Sequence, residues 1–307
     1  MNTLGVEEIS AQPFNLAIAT CGYETRASYL FKTVALEATR SLVLDYRCEG
    51  VLSYDVNKEY YDALSNRDFI DIDDGINTRL RTALLQAATQ VEPGARLRIL
   101  IDISSCSRSV MAKLLLAISD TLPGRTEIVC AYALSEFETP PDGELPSHIS
   151  EPVVGDLSGW SDDLSKPPCA VIALGFEPGR ALGCMDYLEI PEVRLFMPHG
   201  VDQRFEHAVC EANAVLIAEA GGQSVLPYQI LDPAATYEKM ESLIYGLLTR
   251  FRPVIIPLGP KIFAALAIIL ALRMLPRICV WRTSSGSIGE VSDRTASGEI
   301  AIFSTQL

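Results

Sequence analysis

Four short stretches of this 307-residue chain carry the residue types that hold charged ligands. Two of them match: Gly22-Tyr23-Glu24-Thr25-Arg26, and Gly175-Phe176-Glu177 followed by Arg180. Each offers a glycine for a tight chain exit, an aromatic ring that could stack on a base, a carboxylate and a guanidinium. Glu24 and Glu177 could accept from ribose hydroxyls or an exocyclic amine. Arg26 and Arg180 could pair with phosphate, or could simply bridge the neighbouring glutamate and hold the turn. The other two stretches are Ser104-Ser105-Cys106-Ser107-Arg108 and Gly259-Pro260-Lys261. Small residues let backbone approach a ligand closely, serine hydroxyls donate, and Arg108 or Lys261 completes the charge. Both stretches open apolar helical runs, and a helix N-terminus suits phosphate or carboxylate. Ser107 and Pro260 are also ordinary residues for starting a helix, so capping alone is the competing reading.

Catalytic chemistry has thinner support. Asp102, Ser105 and Glu24 are the candidates for acid, base or nucleophile, and Asp102 has Pro257 opposite it in the second half. No Gly-x-Ser-x-Gly elbow and no Gly-x-x-x-x-Gly-Lys-Ser/Thr loop occurs. His199 and His207 could reach a crevice, but only three histidines exist and no Cys-x-x-Cys pair, so no metal site is expected. Asp71-Ile72-Asp73-Asp74-Gly75 lacks full calcium-loop spacing and reads as a solvated loop and helix start.

These motifs recur at one distance. Gly22 to Gly175 is 153 residues, Arg26 to Arg180 is 154, and Arg108 to Lys261 is 153. A shared offset across two motif pairs points to internal duplication. The elements between them agree. In the first half, apolar strands fall at 16–21, 41–46, 68–72, 97–103 and 126–134, with helices at 26–39, 55–65, 76–90 and 108–121. The second half gives strands near 170–174, 192–197, 224–227, 253–258 and 278–283, with helices near 180–188, 203–220, 233–250 and 262–274. Continuous apolar strands alternating with amphipathic helices predict a parallel sheet covered on both faces. The expected architecture is therefore α/β: two tandem Rossmann-like, doubly wound sheets with a short C-terminal hairpin at 289–304. Residues 1–140 form the first repeat, 141–167 a Pro-, Ser- and Asp-rich linker, and 168–307 the second repeat with the hairpin. In strand order 3-2-1-4-5 the first and fourth strands adjoin, and ligands bind beyond their carboxyl ends. All four motifs sit there.

Bulk properties narrow the partners. A formal net charge of −14 disfavours genomic nucleic acid and anionic membrane surfaces. The apolar run 262–272 is too short to span about 30 Å of hydrocarbon, and Pro257, Gly259, Pro260 and Lys261 interrupt what precedes it. Eight scattered cysteines read as reduced, hydrophobic thiols, so a soluble cytoplasmic protein without a cofactor is expected. The tail Trp281–Ser287 is hydroxyl-rich and could close over a ligand or be a plain loop.

The strand, Gly259-Pro260-Lys261 turn and apolar helix at 253–272 resemble the fourth-strand motif of CARF domains, Rossmann-like sensors of cyclic oligonucleotides in prokaryotic immunity. The resemblance rests on the layout and on that one turn, and Ser104–Arg108 in the first half departs from it. It implies a duplicated chain standing in for a CARF dimer, a cyclic oligonucleotide or similar anionic ligand beyond strands 1 and 4, and an effector on a partner chain. The expected function is thus a sensor or adaptor in defence. The alternatives are a nucleotide-processing hydrolase or phosphodiesterase on the same fold, and a structural subunit of a larger complex.

Overall fold

The computed structural model describes residues 1–92, 95–139, 149–159, 163–284 and 291–307. Two compact units result: Met1–Glu136 with Val291–Leu307, and Phe137–Glu290. The second is therefore inserted in the first.

Unit 1 runs β1 (Asn2–Leu4), α1 (Val6–Ser10), β2 (Phe14–Cys21), a 3-10 turn (Thr25–Ser28), α2 (Tyr29–Thr33), β3 (Ala38–Asp45), α3 (Tyr54–Asp62), β4 (Arg67–Asp71), α4 (Ile76–Ala88), β5 (Leu97–Asp102), α5 (Arg108–Thr121) and β6 (Thr126–Ser135). Unit 2 runs β7 (Ile149–Pro152), β8 (Pro168–Ala173), α6 (Arg180–Tyr187), β9 (Glu192–His199), α7 (Gln203–Ala212), α8 (Ala214–Ala220), β10 (Val225–Gln229), α9 (Pro233–Leu247), β11 (Arg252–Pro257), α10 (Lys261–Met274) and β12 (Cys279–Ser284). The chain returns to unit 1 as β13 (Ala296–Gln306).

The first sheet is ordered β1-β13-β6-β5-β2-β3-β4 and the second β10-β9-β8-β11-β12-β7. Stripped of edge additions, each is a five-stranded parallel sheet in the order 3-2-1-4-5. Two Rossmann-like sheets of one topology, with their motifs at one offset, are the product expected of duplication. Both first strands lie centrally, buried on both sides, which is why they read as unbroken apolar runs. The apolar stretch of α10 is explained the same way: residues 262–271 are all buried, at about 1.5–3 kcal/mol for each large side chain removed from water.

Three expectations need correction. The C-terminal hairpin does not form. β13 pairs antiparallel with both β6 and β1 and completes the first sheet, so 291–307 belongs to unit 1 rather than to the second repeat. Residues 289–290 of that proposed hairpin lie outside the described residues. The linker is only partly a linker, because 149–152 forms β7, antiparallel to β12; 140–148 and 160–162 are outside the described residues. The helix expected at 26–39 is a 3-10 turn and one short helix ending at Thr33. β-Branched Val34 is already extended there, and Ala38 must join the sheet opposite Phe14.

Candidate functional site

In unit 1 the exits of β2 and β5 touch. A Cβ added to Gly22 would lie 2.5 Å from Ser105 Oγ and 3.5 Å from the Tyr46 ring, so glycine is what permits the approach. Just beyond, Arg26 donates from Nε to Glu24 Oε2 at 2.8 Å and from Nη1 to the carbonyl of Ala133 at 3.0 Å. The guanidinium also lies over the Tyr132 ring, 5.4 Å from its centroid. Its side chain is only 5% exposed. Burial opposes its charge, but Tyr132 and Glu24 outweigh burial and push its pKa up. Arg26 is therefore an internal tie to the end of β6. Tyr23 packs on a core cluster with Tyr54 and Tyr61 rather than standing free.

The fourth-strand exit of unit 1 is likewise built inward. Asp102 is buried and accepts from the Ser104 N–H at 2.9 Å, while Ser104 Oγ accepts from the Ala133 N–H at 2.8 Å. Ser107 caps α5 by accepting from the Val110 N–H at 3.3 Å. Its own N–H donates to the Tyr46 hydroxyl at 2.7 Å. Burial pushes the Tyr46 pKa up, so it stays a neutral phenol. Arg108 is the first residue of α5 and half-buried, as is Ser105. Both helix capping and inward ties thus operate in unit 1.

A further residue closes this exit. Asp293 accepts from the Thr25 N–H at 2.7 Å and hydroxyl at 2.5 Å, and the Arg26 N–H donates to the Arg294 carbonyl at 3.0 Å. Burial pushes the Asp293 carboxyl up, but the bonds from Thr25 and Arg294 and the nearby Arg26 charge hold it below the usual range. Asp293 is not legible as a site residue in the sequence because its partner lies 268 residues away.

In unit 2 the exits of β8 and β11 meet through two glycines. A Cβ on Gly259 would lie 2.4 Å from the Leu174 carbonyl oxygen, and one on Gly175 2.9 Å from that of Leu258. Leu258 and Gly259 both donate to the Ala173 carbonyl at 3.0 Å. Arg180 pairs with Glu177 at 2.7 Å, with side chains 10% and 30% exposed; left-handed Gly179 (φ 70°) turns the chain into α6 here. Phe176 is partly buried against the unit 2 core. Lys261 begins α10 and is half-buried.

One device appears in both units and was not read from the sequence. Buried Asn57 donates to the carbonyls of Gly22 (3.0 Å) and Glu24 (2.9 Å) and accepts from the Ser28 hydroxyl (2.6 Å). Buried Asn213 donates to the carbonyls of Gly175 and Val209, both at 2.8 Å. It also breaks the helix expected at 203–220 into α7 and α8. A 156-residue offset between two asparagines was the available signal.

The remaining candidates separate. His207 is exposed, 3.9 Å from Glu211, while His199 Nδ1 lies 2.8 Å from Glu206. Asp71 is paired with Arg47, and Asp73 takes the Arg79 guanidinium and the Gly75 N–H, so these two carboxylates hold arginines and a turn. Among the described residues no group of three or more His, Cys, Asp or Glu could hold a metal, and no helix is long and apolar enough to cross a membrane. Of the tail Trp281–Ser287, residues 285–287 lie outside the described residues.

No protein-family model matches this chain, and no curated protein matches it. A solved structure of Haemonchus contortus phosphoethanolamine N-methyltransferase 1, in complex with phosphoethanolamine and S-adenosylhomocysteine, is similar over 82% of this chain and 71% of that one. The identity is 10% and the TM-score 0.25. A likeness at that score bears no weight for fold, ligand or reaction.

Proposed function

We propose that the protein is a sensor or adaptor module that takes an anionic, nucleotide-like ligand beyond the first and fourth strands. One observation carries the reading: in both units these strand exits adjoin, and a half-buried cation, Arg108 or Lys261, opens the helix that follows. An open parallel sheet receives ligands at this switch point, where helix dipole and cation favour negative charge. The reading extends to a cyclic oligonucleotide, a cytoplasmic defence role and an effector on a partner chain, as the CARF resemblance implies. Hydrolysis has less support: of Asp102, Ser105 and Glu24, Asp102 is buried and accepts from the Ser104 N–H, and Glu24 is paired with Arg26. For unit 1 alone, a structural role has its own support in the buried Arg26–Glu24 tie.

The test is a thermal-shift and calorimetric series with pyrophosphate, adenosine monophosphate and cyclic oligoadenylates. A ligand at about 100 times its Kd adds about 2.7 kcal/mol to the folded state. Lys261→Ala and Arg108→Ala are expected to weaken binding at least 10-fold without lowering the ligand-free Tm greatly. Failure of every ligand to raise the Tm, or binding indifferent to both substitutions, refutes the proposal.

A further inference from the structure

Three phenylalanines of unit 2 form a row beyond its first two strands. Phe176 follows the β8 exit, and its ring centroid is 6.1 Å from that of Phe205 in the first turn of α7. Phe205 in turn meets Phe137 at 5.0 Å, edge to face at 81°. All three are half-buried, and the guanidinium of Arg204 lies over the far ring, 4.9 Å from its centroid. In unit 1, by contrast, Phe31 and Tyr60 make their ring contacts with Tyr61, which is fully buried.

Beside the row sits a polar pair. Glu206 follows Phe205 in the chain, and its Oε2 lies 2.8 Å from Nδ1 of His199 at the end of β9. A carboxylate at that distance fixes the proton on Nδ1, so the neutral ring presents Nε2 as an acceptor. The row begins one residue from Gly175, which presses on Leu258 next to the Gly259–Lys261 turn. A phosphate held near Lys261 would thus place its attached base alongside Phe176 and Phe205.

We infer that Phe176, Phe205 and Phe137 form a stacking platform for a purine base, with His199, held by Glu206, reading an amino group on its edge. The inference rests on the anion-binding reading of the same crevice and names the other half of the ligand. Half-buried aromatic residues offer apolar surface on which a planar base stacks, and every base has a π-face to stack with.

The experiment uses the full chain and three probes: pyrophosphate, adenosine monophosphate and adenosine. Phe205→Leu keeps apolar bulk and removes the ring; Phe137→Leu does the same at the far end. Expected is at least a 10-fold loss of adenosine monophosphate affinity in Phe205→Leu, with pyrophosphate affinity changed less than two-fold. Saturation-transfer NMR is expected to show contact with the purine protons of adenosine, lost in the same variant and kept in Lys261→Ala. Equal loss for monophosphate and pyrophosphate, or no loss for either, overturns the platform while leaving the anion site standing. If pyrophosphate fails to bind but adenosine contact vanishes in Phe205→Leu, the anion reading falls and the platform survives. Adenosine contact that is absent, or that persists in Phe205→Leu, overturns the platform whatever the phosphate does.

Discussion

The same trio of residue types does different work in the two units. In unit 1 Glu24 and Arg26 are drawn inside, tied to Ala133 and Tyr132 at the end of β6, and Asp293 covers the neighbouring Thr25. In unit 2 Glu177 and Arg180 pair with each other, half-buried, and the adjacent Phe176 joins a row of aromatic rings. Common to both is the asparagine that grips the glycine carbonyl at the first-strand exit. Both units keep the topology and the backbone anchoring, while the arginine ties its turn to the end of β6 in unit 1 and pairs within its own turn in unit 2. A repeated motif is evidence of shared geometry before it is evidence of shared binding.

The arginines give the largest separation. Arg26→Met removes a buried guanidinium with its bonds to Glu24 and the Ala133 carbonyl and is expected to cost about 3–5 kcal/mol, whereas Arg180→Met, at a pair whose glutamate is 30% exposed, should cost less, about 1–2 kcal/mol. Denaturant unfolding of both variants checks this; equal losses would erase the distinction between inner and outer trios.

The glycines invert the order. Gly259→Ala drives a methyl into the Leu174 carbonyl, which is backbone just past the end of β8, and is expected to cost about 2–3 kcal/mol. Gly22→Ala meets a serine hydroxyl that can rotate away, so about 1 kcal/mol or less is expected. Hydrogen exchange at the β8 and β2 amides would show which exit loosens.

The effect at Asp293 is the one that depends on pH. Its carboxyl is depressed in the folded state, so its contribution is fully present above the unfolded value of about 3.9. It disappears as pH falls through the folded value. Asp293→Ala should lose about 1 kcal/mol at pH 7 and converge with the parent protein once the pH has fallen below the folded value. A loss that is constant with pH would mean the carboxylate charge is not what holds the Thr25 turn.

The alternation of elements was legible because each five-stranded core follows local pattern: buried parallel strands are continuous apolar runs, and the helices other than α10, buried throughout 262–271, show an apolar face. The strand order followed from right-handed crossovers and held in both sheets. What escaped were contacts set by distant partners. Nothing in 296–306 states that β6 lies beside it, since an antiparallel strand reads the same whether its partner is 10 or 170 residues away. Asn57 and Asn213 sit in helical surroundings where an amide looks like a solvated residue; only the folded chain brings Gly22 and Gly175 under them. Whether Arg26 faced a ligand or the protein was likewise a question of side-chain direction, which spacing does not encode.

The return of the chain as β13 has a consequence for synthesis. The six described strands of unit 2 lie between residues 149 and 284, ahead of β13 in the chain, so that sheet needs nothing made later. Unit 1 has the earlier strands, yet β1 has no place in its sheet and β6 stays an open edge until residue 306 has emerged. The part of the protein made first is therefore the part finished last, and until then it must carry an unpaired strand edge through the cell.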